Sequence, residues 1–241
     1  MKARKIYLLA LIAILMVSVI ASGCSSQSTA TEKPSTSNIK PNVKTSFNST
    51  VDSPEISAKA FIDPQGAVIG NVHVGDNVYV APFASLRGDE GQSIWIGNNT
   101  NVQDGVIVHA LETEENGEAV EKNLMDYNGK KYAVYVGNNV SLAHQSQVHG
   151  PATVDDNTFI GMQAFVFKAK VGKGCVLEPT AKVIGVSIPD GRYVPAGTVV
   201  TTQDQANKLP EITDTYVFKD LNKGVLHVNE QLAEGYLGEH K

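Results

Sequence analysis

The chain has 241 residues, of which 42% are hydrophobic and 19% charged, with 21 Gly, 10 Pro and 2 Cys. This composition suits one or two soluble domains and excludes both wholesale disorder and a membrane bundle. The 20 basic and 25 acidic residues give a net charge of −5, without the clustered positive charge of a nucleic-acid footprint, so the expected partner is a small molecule.

Lys2, Arg4 and Lys5 precede an apolar run from Ile6 to Ala21 that ends in Ala21-Ser22-Gly23-Cys24. These are the charged, apolar and small-residue regions of a secretory signal. The cysteine after small residues resembles a lipobox, so residues 1–23 are expected to be removed and Cys24 lipidated. The mature protein is then extracytoplasmic and tethered to the cell membrane only through that anchor. Removing 1–23 takes three of the basic residues and no acidic one, leaving −8. With Cys24 acylated, Cys175 stands alone and no intrachain disulfide is available. Residues 24–59 are rich in Ser, Thr, Asn and Lys, with Phe47 as the lone aromatic, and are expected to form a flexible tether and N-terminal cap.

Residues 60–209 carry a period of six. Aliphatics recur at Val68, Val74, Val80 and Leu86, then at Ile96, Val102 and Val108. They resume at Val136, Leu142, Val148, Val154, Ile160 and Val166, and again at Val171, Leu177 and Val183, with Gly following at 75, 97, 137, 161 and 172 as if for tight corners. Six matches neither a helix nor simple strand alternation and is the mark of hexapeptide coils. The expected fold is mainly β: a left-handed parallel β-helix, three hexapeptides per coil, with a C-terminal α-helix. Two departures from the period are expected to be loops: Arg87-Gly88-Asp89-Glu90-Gly91, and a stretch from Leu111 to Tyr132 containing Glu112, Glu114, Glu115, Glu118 and Glu121. Residues 210–241 are expected to pack a helix from Thr213 to Gly235 on the solenoid through Val217, Leu221, Val225, Val228 and Leu232.

Three of the six histidines can be placed by the repeat. His109 follows Val108 and His149 follows Val148, so with Leu111–Tyr132 as one excursion they stack on adjacent coils, about 4.8 Å apart. That spacing suits two imidazoles sharing a metal. His144 stands two after Leu142, on another side of the triangle, and so should meet the pair only across a threefold assembly. Three neutral imidazoles with an open fourth position describe a catalytic rather than a structural site. Zn2+ fits this set, as do Fe2+ and Co2+.

At this point the sequence resembles the γ-class carbonic anhydrases. Asn101-Val102-Gln103-Asp104-Gly105 leading to His109, and Ser141 through Gly150, carry the likeness, which extends through Phe159-Ile160-Gly161-Met162 and Ile188-Pro189-Asp190-Gly191. The resemblance implies a homotrimer that converts carbon dioxide to bicarbonate with a metal-bound hydroxide. It implies that His109 and His149 bind the metal from one subunit and His144 from the next. It also implies Gln103 and Asn101 beside the metal-bound water, Arg87 and Asp89 in an intersubunit salt bridge, and Glu90 and Glu112 in proton handling, with Glu112 as shuttle. Asn229 would contact the site from the terminal helix. His227 departs from the family, which carries an aromatic hydroxyl side chain there. The alternatives are a hexapeptide acyltransferase, which leaves two of the three histidines unexplained, and a non-catalytic metal-binding or scaffolding homologue.

Overall fold

The computed structural model of the protein describes residues 37–239; the signal segment, Cys24, the start of the tether and His240 lie outside the described residues. From Glu55 to Val200 the chain winds as a left-handed β-solenoid whose three faces are parallel sheets of seven short strands each, an eighth joining the first face from Ile39–Lys40. The sixteen expected aliphatics are the register columns of these faces. Val68, Leu86, Val108, Val148, Val166 and Val183 pair in turn on the first face. Val74, Ile96, Val136, Val154 and Val171 do so on the second, and Val80, Val102, Leu142, Ile160 and Leu177 on the third. All are between 0% and 1% exposed. Each side chain stacks on an aliphatic above and below, so the interior is a continuous apolar rod. Ile188, Val194 and Val200 carry the three columns one coil further.

The corners work differently from the expectation. Gly75, Gly97, Gly137, Gly161 and Gly172 do not supply a left-handed backbone; a Cβ on any of them would strike the next coil. Two residues after them the positive φ falls on Asn77, Asn99, Asn139, Gln163 and Gly174, and at a further corner on Asn157; the four asparagines are a residue type that tolerates it. Their amides form a ladder: Asn77 donates to Asn99 at 3.0 Å, Asn99 to Asn139 at 3.3 Å and Asn139 to Asn157 at 3.2 Å.

Solenoid pairing begins at Glu55–Ile56, before the expected residue 60. The segment before it is also held: Ile39–Lys40 pairs with Val68–Ile69 and covers the edge of the first face. Polar closure rather than apolar burial orders this cap. Asn42 accepts from the Asp52 amide at 2.7 Å and donates to the Thr50 carbonyl at 2.8 Å, while Phe47 stays 38% exposed.

The excursion from Leu111 to Tyr132 folds as two small hairpins, Glu114–Glu115 with Glu118–Ala119 and Met125–Tyr127 with Lys130–Tyr132. It returns the chain in register, with Val134 beside Ile94. After the last coil come a short helix α1 (Gln203–Asn207), closed by a Thr202/Gln205 capping box, and a long helix α2 (Leu221–Glu239). Helix α2 starts later than the expected Thr213. Tyr216 stacks on Tyr193 at 4.1 Å and donates to Glu178 at 2.9 Å, which holds the preceding residues as turns against the last coils. Its buried positions are Asn229 and Ala233, with Val225 partly covered, whereas the expected packing residues Leu221, Val228 and Leu232, and Val217 before the helix, are exposed. The helix runs along the third face, with Tyr236 stacked on Phe61 and Asn222 bonded to the Asn139 carbonyl. Among the described residues no helix is long and apolar enough to cross a membrane.

Candidate metal centre

The hexapeptide register brings His109 and His149 together. They pair directly on adjacent strands of the first face, each one residue after an inward valine and therefore turned outward. Their rings meet edge to face with centroids 5.4 Å apart. His149 Nδ1 donates to the Gly150 carbonyl at 3.1 Å, which leaves Nε2 with the lone pair that a metal uses. Burial lowers the His149 pKa, against the opposing pull of the Gly150 carbonyl, which favours the neutral ring that ligates a metal.

The first departure from the period supplies the surroundings of His109. Arg87 Nη2 donates to His109 Nε2 at 2.9 Å, and Nε2 also lies 3.3 Å from Asp89 and 3.4 Å from Glu90. The ligand atoms of Asp89, Glu90 and His109 all fall within 4.8 Å of one another, an arrangement that fits a divalent cation. Burial pushes the Asp89 carboxyl up, but its close approach to His109 and the Arg87 charge outweigh that and hold its pKa below the usual carboxylate value. Burial dominates at Glu90 and raises its pKa; Asp89 and Glu112 add to the rise, while His109 and Arg87 oppose it. Arg87 and Asp89 bridge each other within the chain at 3.2 Å. Glu112 is exposed at the root of the acidic hairpin, its carbonyl tied to Asn123 at 2.7 Å.

The other expected residues stand on a different face. His144, Gln103 and Asn101 belong to the third face, with Asn229 of α2 beside them. Asn101 donates to Ser141 at 2.9 Å, and Gln103 donates to Asn101 at 2.9 Å. These amides are 1% and 7% exposed, so the chain fixes their orientation. His144, Gln103 and Asn229 line an open groove of about 590 Å³, with Met162, Val228 and Leu232 on its apolar walls. Within one chain, therefore, Gln103 and Asn101 accompany His144 rather than the His109/His149 pair. His227 opens on a separate groove with Lys219 and Glu230.

Three contributors escaped the sequence reading. Asp104 lies 3.0 Å from His144 Nδ1, which directs the other ring nitrogen outward. The register could have revealed it, because Val102 pairs with Leu142 and Asp104 and His144 each stand two residues later. Ser141 anchors Asn101 by the same logic. Thr113, buried at 1% inside an acidic loop, had no such signal.

The sequence matches no protein-family model. It is 61% identical over 201 residues to a protein named carbonic anhydrase from Methanosarcina thermophila, covering 83% of this chain and 81% of that one. It is 31% identical over 157 residues to mitochondrial gamma carbonic anhydrase 1 of Arabidopsis thaliana, covering 65% and 50% of the two chains. Among solved structures it resembles a hexapeptide transferase family protein from Anaplasma phagocytophilum, with TM-score 0.57, 23% identity and coverage of 77% and 93%. At that identity the likeness speaks only for the coil.

Proposed function

The chain belongs to the γ-class carbonic anhydrases, metal-dependent enzymes that interconvert carbon dioxide and bicarbonate, and we propose that it works at centres completed by neighbouring copies in a homotrimer. The observation that carries this reading is the division of the site between two faces: His109 and His149 with three charged neighbours on one, His144 with ordered amides in an apolar-walled groove on another. A threefold arrangement joins these halves and covers the exposed stripe of α2. Arg87 and Asp89 re-pair across that interface, which releases His109 Nε2 from Arg87.

His109 and His149 would hold the ion from one chain and His144 from the next. When bound, the ion, with zinc as the proposed choice and Fe2+ or Co2+ also suited to three imidazoles, supplies a water activated for attack near neutral pH. Gln103, locked by Asn101, orients the attacking oxygen with an amide that does not titrate, and Asn229 supports it from α2. The released proton passes to carboxylates. Glu90 is suited to receive it because burial raises its pKa, and Glu112, exposed beside it, carries the proton to buffer. The proposal includes location: Lys2, Arg4 and Lys5, the apolar run and Cys24 support export and a lipid anchor on the outer side of the membrane.

The test is stopped-flow carbon dioxide hydration by residues 25–241, purified without oxygen, before and after chelation. Activity lost on chelation and restored by one metal per subunit supports the proposal. A trimer that holds metal without turnover makes the chain a scaffolding homologue, and a metal-free trimer reopens acyl transfer.

A further inference from the structure

We propose that Thr113 is the positioning residue for proton release, a buried clamp that sets the Glu90 carboxylate and the root of the Glu112 hairpin relative to His109. All the polar groups of Thr113 are engaged, and its hydroxyl and amide join the two departures from the hexapeptide period. Its hydroxyl donates to the Glu90 carbonyl at 2.6 Å and accepts from the Gln92 amide at 2.6 Å. Its amide donates to the same Glu90 carbonyl at 2.9 Å, and its own carbonyl accepts from Val120 at 2.9 Å across the acidic hairpin.

The turn is built to admit this hydroxyl. Gly91, at φ +104°, packs so closely that a Cβ there would fall on Thr113 Oγ1. The Glu90 backbone, whose carboxylate lies 3.4 Å from His109 Nε2, is thus held by two bonds from one residue. That residue is the immediate neighbour of Glu112. A solvated acidic loop has no use for a threonine 1% exposed at its centre. The clamp supplies one, because a proton relay needs its donors and acceptors at fixed separation.

This inference rests on the reading that Glu90 and Glu112 carry protons, and the test separates the two. Thr113→Val keeps the side-chain shape and removes the hydroxyl; Gly91→Ala displaces the hydroxyl from the other side; Thr113→Ser retains it. In weak buffer, Thr113→Val and Gly91→Ala should lower the hydration kcat by about tenfold, imidazole should restore most of it, and Thr113→Ser should match the wild type. Metal content should be unchanged. In the metal-free protein, hydrogen exchange at the Gln92 amide should accelerate in Thr113→Val. Equal losses in weak and strong buffer, a serine variant as slow as the valine one, or unaltered exchange at Gln92 would overturn the clamp. If Glu112→Ala depends on buffer and Thr113→Val does not, only the clamp falls; if Glu112→Ala shows no buffer dependence, the relay falls and takes the clamp with it.

Discussion

Replacing Asp104 with alanine should weaken metal binding without dismantling the protein. Asp104 and His144 are 3.0 Å apart, and their side chains are 53% and 54% exposed. Treated as an ion pair at that exposure, the contact contributes only about 0–1 kcal/mol to folding. Its larger effect is to hold the imidazole in one tautomer and one orientation, and loss of such a supporting carboxylate typically costs about 10–100-fold in metal affinity. The solvent around this pair puts the expectation at the low end, about tenfold or 1.4 kcal/mol. Zinc affinity is measured by competition with a chromophoric chelator, the assembly by light scattering, and turnover per bound metal by stopped flow. Asp104→Asn keeps an oxygen acceptor at the same place and should recover most of the affinity. An alanine variant that binds zinc as tightly as the wild type, or an asparagine variant no better than alanine, would refute the orienting role.

Glu112→Ala should slow hydration chiefly in weak buffer, with added imidazole restoring turnover. Burial lowers the His149 pKa below 6.5, so as pH falls the unfolded chain takes up a proton that the folded chain refuses, and stability is lost from about pH 6.5 downward. In the metal-free protein, His149→Gln should flatten that part of the slope of Tm against pH. Glu90, with its pKa raised above 4.5, contributes a slope of the opposite sign, so the comparison must be the difference between variant and wild type. Leu142, 0% exposed between Val102 and Ile160, should cost about 2.7–5.0 kcal/mol when cut to alanine, measured by urea unfolding.

Most of the frame was legible in the sequence because, in a solenoid, tertiary neighbours are sequence neighbours at a regular offset. Once the period was read across the Leu111–Tyr132 excursion, Val108 had to lie on Val148 and His109 on His149, and so they do. The same offset also contains the Asp104–His144 contact, which went unread because it needs comparison of positions two beyond the column. Elsewhere the offset gives no guidance. The start of α2 depends on Tyr216 finding Tyr193 and Glu178, and its buried stripe depends on the shape of the third face. The cap before Glu55 orders through Asn42 and Asp52, a polar closure that composition alone reads as a tether.

Composition and the six-residue period by themselves determined the β-helix, its columns and the pairing of two histidines, since each follows from a repeating backbone that must bury one aliphatic per hexapeptide. Tertiary structure alone decided that α2 brings Asn229 to the groove of the third face, and that Thr113 binds the two loops together. Those arrangements arise where the period is broken or a helix returns over the coils, and the contacts made there join residues whose separation in the chain follows no rule.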